Sequence, residues 1–250
     1  MLPTFVSLAV VASAVALAAG CKASEGSQSA ATASTSTATQ TAANVRATTS
    51  PTAARPAGMP TDSISERADR GRIQGDPNAP LWIIEMSDFQ CPFCKTWHDS
   101  TYPGVVRDYV KTGKVRLAYL NFPLRMHAHA MPAAEAAMCS SAQGKFWEMH
   151  DAVFSSQDRW VPTTDAQPIF ESLAGALGID MAAWRTCMSK HLTRALIQAD
   201  LERSSGAGIE STPSFFVGDQ GIAGAQPYAV FRDAIEQQLK KKGASTSPAR

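Results

Sequence analysis

The chain has 250 residues, a formal net charge of +1 and five cysteines. That length accommodates one large domain or two small ones. The near-zero charge gives no reason to expect a nucleic acid or an anionic surface as partner, and the cysteine count suits an oxidising compartment.

The N-terminus agrees with that compartment. Phe5 to Ala19 is an apolar run of small residues, too short to span a bilayer, and it leads into Leu17-Ala-Ala-Gly-Cys21. This predicts an export signal over residues 1–21. The small residues before Cys21 are similar to a bacterial lipoprotein cleavage box, which makes Cys21 the expected lipidated first residue of the mature protein. The alternative is an ordinary signal peptide with a spare cysteine. The fit has two departures: no Lys or Arg precedes the apolar run, and the usual leucine is displaced to Leu17.

Residues 22–63 are dominated by Ala, Ser and Thr, with Pro51, Pro56 and Pro60 and no aromatic residue. Such a stretch cannot bury enough surface to offset its ordering entropy. It reads as a flexible tether of about 40 residues with a random-coil reach of roughly 30–40 Å. Globular composition begins at about residue 64 and is assigned through residue 250.

Leu81-Trp-Ile-Ile-Glu-Met86 is apolar except for Glu85 and predicts a central strand covered on both faces. Cys91-Pro92-Phe93-Cys94 follows directly, and Lys95 to Tyr109 reads as a helix. Two cysteines on the first turn of a helix, at the end of a strand, form the pattern of a thiol–disulfide redox site. The helix terminus offers unpaired N–H groups and a positive dipole end that favour a thiolate on Cys91. Pro92 falls where the helix needs no N–H. Cys91 is therefore the expected attacking and leaving sulfur, and Cys94, one turn further in, resolves the mixed disulfide. A metal-site reading, for zinc or copper with His98 added, lacks a second Cys-x-x-Cys, and haem attachment would need His at position 95, which is Lys.

Val115–Asn121 is a second predicted strand and Ser214–Val217 a third, which turns through Gly218–Gly221 into a short strand near Ile222. Pro227 starts a last helix with Val230, Phe231, Ala234, Ile235 and Leu239 on one face. Between the second and third strands, residues 125–205 read as helical. Pro132 and Pro168 suit first-turn positions, Gly178 suits a stop, and the apolar residues recur at helical spacing.

Together Gly75-Asp-Pro-Asn-Ala-Pro80, Ser87-Asp-Phe-Gln-Cys-Pro-Phe-Cys94, Ala133-Ala-Glu-Ala-Ala137, Gln143-Gly-Lys-Phe-Trp147 and Ser211-Thr-Pro-Ser-Phe215 resemble the DsbA-like thiol:disulfide oxidoreductases. The resemblance covers about residues 70–240. It implies an α/β fold, a thioredoxin fold with an inserted α-helical domain. It also implies an exposed nucleophile at Cys91, a buried partner at Cys94 and a cis bond between Thr212 and Pro213 opposite them. Pro92, Phe93, Thr212 and Pro213 are then the substrate-binding residues. Glu85 matches the family's buried acid and is a candidate proton carrier for Cys94; the alternative is a strand-end Glu that reaches water or a lysine. The departure is Phe93, where the best-known periplasmic oxidase has His.

Cys139 and Cys187 remain, both in the helical stretch. A leftover pair in an exported protein suggests a structural disulfide, which would close a loop of about 49 residues and contribute roughly 4 kcal/mol; some family members carry such a second bond, and two buried free thiols are the alternative. His127-Ala-His129 resembles a metal clip without adjoining ligands, so no metal is assigned. His150 and His191, like His98, read as ordinary surface or core residues.

The expected protein is an exported, lipid-anchored thiol:disulfide oxidoreductase of the periplasm or cell envelope, acting on cysteine-containing exported proteins as a dithiol oxidase. Its rivals are a disulfide reductase or isomerase, and a copper- or zinc-binding thioredoxin-like protein. No organic cofactor is expected, no nucleic acid partner, and a membrane redox partner resets Cys91 and Cys94.

Overall fold

A computed structural model describes residues 63–243. The export signal, Cys21 and nearly all of the tether lie outside the described residues.

Helix α1 (Ile64–Gly71) opens on a reciprocal cap: the Ser63 hydroxyl accepts from the Glu66 N–H, and the Glu66 carboxylate accepts from the Ser63 N–H. Gly71 is required by close packing, since a Cβ there would sit 2.5 Å from the Ser141 hydroxyl. Strand β1 (Ile73–Gln74) follows, then β2 (Leu81–Ser87), helices α2 (Pro92–Ser100) and α3 (Tyr102–Val105), and β3 (Val115–Asn121). Six helices come next: α4 (Ala130–Ser141), α5 (Phe146–Ser155), α6 (Gln157–Trp160), α7 (Gln167–Ala176), α8 (Met181–Ser189) and α9 (Arg194–Gly206). The hairpin β4 (Ser214–Val217) and β5 (Gln220–Ala223) and helix α10 (Tyr228–Lys241) complete the fold.

The sheet order is β1-β3-β2-β4-β5, with β2 and β3 parallel and the other pairs antiparallel. This is a thioredoxin-type sheet, and α4 to α9 are the helical insertion between β3 and β4. Two apolar clusters divide the work. One gathers sheet residues Leu81, Ile83, Leu117, Phe215 and Val217 with Trp97 of α2 and Phe231 of α10. The other fills the insertion around Phe146, Phe154, Trp160, Phe170 and Trp184, and it reaches Phe89, Cys91 and Cys94. The redox motif therefore sits on the seam between the clusters. Trp97, fully buried against Phe215 and Phe231 at ring separations of 4.6 and 5.6 Å, fixes α2 to the sheet. Truncating a core aromatic of this kind costs about 3–5 kcal/mol.

Three details depart from the sequence reading. The helix expected over 95–109 is interrupted at Thr101, because Pro103 cannot continue the amide ladder, and residues 106–110 form a π-helical turn. Gly104 in that break allows α10 to approach, since a Cβ would meet the Tyr228 ring at 2.8 Å. Strand β2 is not sealed on both faces: Trp82 is 37% exposed under the Arg116 guanidinium. Val230 is 40% exposed and lies off the buried face of α10, which uses Phe231, Ala234, Ile235 and Leu239.

Asp200 on α9 is fully buried and binds the Arg72 guanidinium, the backbone N–H of Asn121 at 3.1 Å and its side-chain amide at 3.0 Å. This locks the end of the insertion to β3. Cys139 of α4 and Cys187 of α8 form a disulfide with Cα atoms 5.8 Å apart, 48 residues apart in sequence. Both half-cystines are buried among insertion helices. Replacing both by Ala should lower unfolding stability by about 2–5 kcal/mol and leave thiol exchange largely intact. Denaturant melts of oxidised protein check this, and a double variant as stable as wild type would assign the bond no stabilising role.

Candidate active site

Strand β2 delivers the chain to the loop 88–91, and α2 begins there. Cys91 is the N-cap of α2, with extended φ −68° and ψ 124°, and Pro92 is its first helical residue. The loop is held mainly by Asp88, whose side chain is buried. Its Oδ1 accepts from the Gln90 N–H at 2.7 Å, and its Oδ2 accepts from the Leu124 N–H at 2.9 Å and faces His127 Nδ1 at 2.7 Å. The Cys91 N–H donates to the Asp88 carbonyl at 3.1 Å, and the Asp88 N–H donates to Cys94 Sγ at 3.5 Å. Gln157 of α6 closes the other side, donating its amide to the carbonyls of Phe89 and Cys91 at 2.7 and 3.2 Å.

Both cysteines are thiols. Cys94 is fully buried, whereas Cys91 keeps 4% exposure. Cys91 is thus less open than the resemblance implies, because Gln157 and the 212–213 loop close around it. The Cys91 thiol donates to the Thr212 carbonyl at 3.5 Å. The Thr212–Pro213 peptide is cis.

The two thiols are driven apart electrostatically. The hydrogen bond from Cys94 is the largest influence lowering Cys91, to about 6, with Thr212 and the N–H groups of Cys94 and Phe93 adding to it against burial. Burial pushes Cys94 well above the usual thiol range, and the neighbouring Cys91 adds to that. One sulfur is prepared as a thiolate while the other holds its proton.

Glu85 is fully buried in the middle of β2, and neither carboxylate oxygen has a hydrogen-bond partner among the described residues. Burial pushes it up to about 8, against smaller lowering by Ser87 and His98. Ser87 also acts on Cys94, and Tyr119, opposite Glu85 across the β2–β3 ladder, feels the charge of both Glu85 and Cys94. The buried Glu85 carboxyl, Ser87 hydroxyl and Tyr119 phenol thus share the β2–β3 region, and Ser87 and Tyr119 each interact electrostatically with Cys94.

Phe93 is 64% exposed beside Cys91, an apolar side chain facing solvent at the mouth of the site. His127 and His129 part company: the first faces Asp88, and the second places Nε2 2.8 Å from the Thr163 carbonyl. Asp88 was visible inside the Ser87–Cys94 motif, but its clamp role needed the 124–127 loop, which is remote in sequence. Gln157 carried no sequence signal at all.

A Cys-x-x-Cys helix cap facing a cis-proline, on a thioredoxin sheet with a helical insertion, defines the DsbA-like class of thiol:disulfide oxidoreductases. A family model described as Thioredoxin matches residues 67–237. The chain belongs to the thioredoxin family, as a DsbA-like member of it. It is 24% identical over 180 residues to disulfide bond formation protein D of Bacillus subtilis, covering 68% of this chain and 78% of that protein. It is 31% identical over 150 residues to Na(+)/H(+) antiporter NhaA 3 of Salinispora tropica, covering 60% of this chain but only 22% of the antiporter. Among solved structures, Wolbachia pipientis alpha-DsbA1 superposes with a TM-score of 0.62 at 24% identity, over 68% of this chain and 92% of that one. Oxidised BdbD of Bacillus subtilis does so with a TM-score of 0.62 at 23% identity, over 68% and 94%. No described helix is long and apolar enough to cross a membrane.

Proposed function

We propose that the protein is an exported dithiol oxidase that passes a disulfide from Cys91–Cys94 to cysteine-containing proteins of the periplasm or cell envelope. The observation that carries this is the split between the thiols, with Cys91 lowered to about 6 and Cys94 raised. Stabilising the Cys91 thiolate stabilises the dithiol over the disulfide, and a stabilised dithiol makes the disulfide a stronger oxidant. A substrate thiolate attacks Cys91, Cys94 leaves as thiolate and takes a proton, and a second substrate thiol then releases Cys91. The substrate leaves with a disulfide and the protein is left with two thiols. A membrane redox partner takes those two electrons and closes Cys91–Cys94 again. Thr212, Pro213, Pro92 and Phe93 form the rim that a substrate peptide contacts, in the manner of an added strand along 212–213.

The direction is tested by equilibrating Cys91–Cys94 with glutathione and by oxidative folding of a reduced, unfolded test protein. Net reduction of test disulfides, with a potential near or below that of the cytosolic reductants, would reassign the protein as a reductase. The anchor at Cys21 is a separate part of the reading. Cys21→Ser should release the protein from the detergent-soluble membrane fraction, and unchanged partitioning would remove the lipid from the account.

Phe93 sets a second expectation. His at this position would add a hydrogen-bond donor or a positive charge beside the Cys91 thiolate. Phe93→His should lower Cys91 further and make the pair more oxidising by on the order of 30 mV, the equivalent of about 1.4 kcal/mol for a two-electron couple. An unchanged glutathione equilibrium in the variant would show that position 93 does not set the potential.

A further inference from the structure

Where α2 meets α5, two imidazoles and a carboxylate converge. His98 Nε2 lies 3.2 Å from Asp151 Oδ1, and His150 Nδ1 lies 2.8 Å from the same oxygen. The candidate ligand atoms of His98, His150 and Asp151 all fall within 4.8 Å of one another. We propose that His98, His150 and Asp151 form a binding site for a zinc-class divalent transition-metal ion, joining the redox helix α2 to helix α5 of the insertion.

The donor chemistry fits that class of ion. Two neutral imidazoles and one carboxylate are the three-ligand set of open zinc sites, with the remaining position left for water. Bonds of about 2.0–2.2 Å place neighbouring ligand atoms of a tetrahedral ion roughly 3.3 Å apart, close to the spacing around Asp151 Oδ1. An ion therefore substitutes for the protons now shared among these three groups, with small side-chain shifts.

The supporting shell fits as well. The second nitrogen of His98, Nδ1, faces Asp99 Oδ1 at 2.8 Å, so a carboxylate orients that ring and leaves Nε2 for the metal. The His98 ring stacks on Phe154 and Tyr102 at 5.0 and 5.7 Å. His150 is fully buried, with Trp147 and Phe154 edge-on at 5.1 and 5.0 Å. Packing of this kind locks both rotamers before an ion arrives. The Asp151 side chain is half exposed and lines a cleft of about 620 Å³ with His98, Asp99, Tyr102 and Trp147, which supplies the entry path and room for water ligands. His150 Nδ1 is the ring nitrogen turned toward Asp151, and Nε2, on the far side of the ring, is buried without a hydrogen-bond partner among the described residues.

The site does not use Cys91 or Cys94 and does not rest on the proposed oxidase reading. Its test is designed to exclude thiols. Untagged full chain carrying Cys21→Ser, with Cys91–Cys94 oxidised, is titrated with Zn²⁺ alone by calorimetry, and its zinc-edge X-ray absorption is recorded. The expected result is one saturable equivalent, a nitrogen and oxygen shell containing two imidazoles, and a raised Tm in the presence of zinc. Asp151→Asn and His98→Gln should each weaken binding at least a hundredfold, and Asp99→Asn about tenfold through ring orientation. His150→Gln can fail to fold, so half-exposed Asp151 carries the decision. Absence of one-to-one binding, binding unchanged in Asp151→Asn, or a shell without imidazole would each overturn the site.

Discussion

Cys94→Ser should accumulate as a mixed disulfide with its substrates, and Cys91→Ser should lose thiol exchange altogether. Cys91 is the N-cap of α2, and the backbone of Cys94 and Phe93 in the first turn helps to lower its thiol. It can attack or be attacked, whereas Cys94 has no exposure and enters only as an intramolecular partner. Without the Cys94 sulfur, the covalent complex formed at Cys91 has no internal thiolate to resolve it. Non-reducing gels of cells expressing Cys94→Ser should show adducts that dithiothreitol releases. Alkylation of the reduced protein near pH 6.5 should modify Cys91 far faster than Cys94. Equal reaction of both thiols, or adducts formed equally by Cys91→Ser, would overturn the assignment.

The parts of this site that lie close together in sequence were legible there. A strand, a Cys-Pro-Phe-Cys cap and a following helix lie within residues 81–100, and local rules govern each of them. Strands β3 and β4 were read with the bounds the structure has, because Gly and Pro punctuate them. What escaped was non-local or locally ambiguous. Helix α1 announces itself only by Ser63 and Glu66, a capping pair at the margin of a stretch rich in Ala, Ser and Thr. Strand β1 is two residues long and exists through pairing with β3. The Asp88 clamp spans 39 residues to His127, and the Arg72–Asp200 pair spans 128. Such contacts are products of the folded topology and leave no periodicity to read. His98 and His150 read as ordinary residues in the sequence, and Asp151 drew no notice there, for the same reason: α2 and α5 meet only in the tertiary structure.

The direction of the Glu85 effect follows from its burial. In an unfolded chain this carboxyl titrates near 4.5, whereas in the fold it is pushed up to about 8. The folded state therefore holds the proton more tightly. The associated stability is fully present below about pH 4.5 and is lost as pH rises toward 8. Each unit of separation corresponds to about 1.4 kcal/mol, so the loss across that window is on the order of a few kcal/mol. Glu85→Gln keeps the shape and removes the titration. Its unfolding free energy should overtake that of wild type as pH climbs from 5 to 8, by an amount on the order of 2–4 kcal/mol. The same substitution should slow thiol exchange, because Cys94 is raised by burial and needs a nearby group to take or return its proton. The slowing should appear in the step where Cys94 ionises or is reprotonated, with the titration of Cys91 little changed. Guanidinium melts across pH and stopped-flow exchange with a model disulfide separate the two effects. A stability gain at pH 8 with wild-type exchange rates would leave Glu85 a buried charge without a catalytic task. Loss of both effects would mean that the carboxyl reaches water through a path this fold does not show.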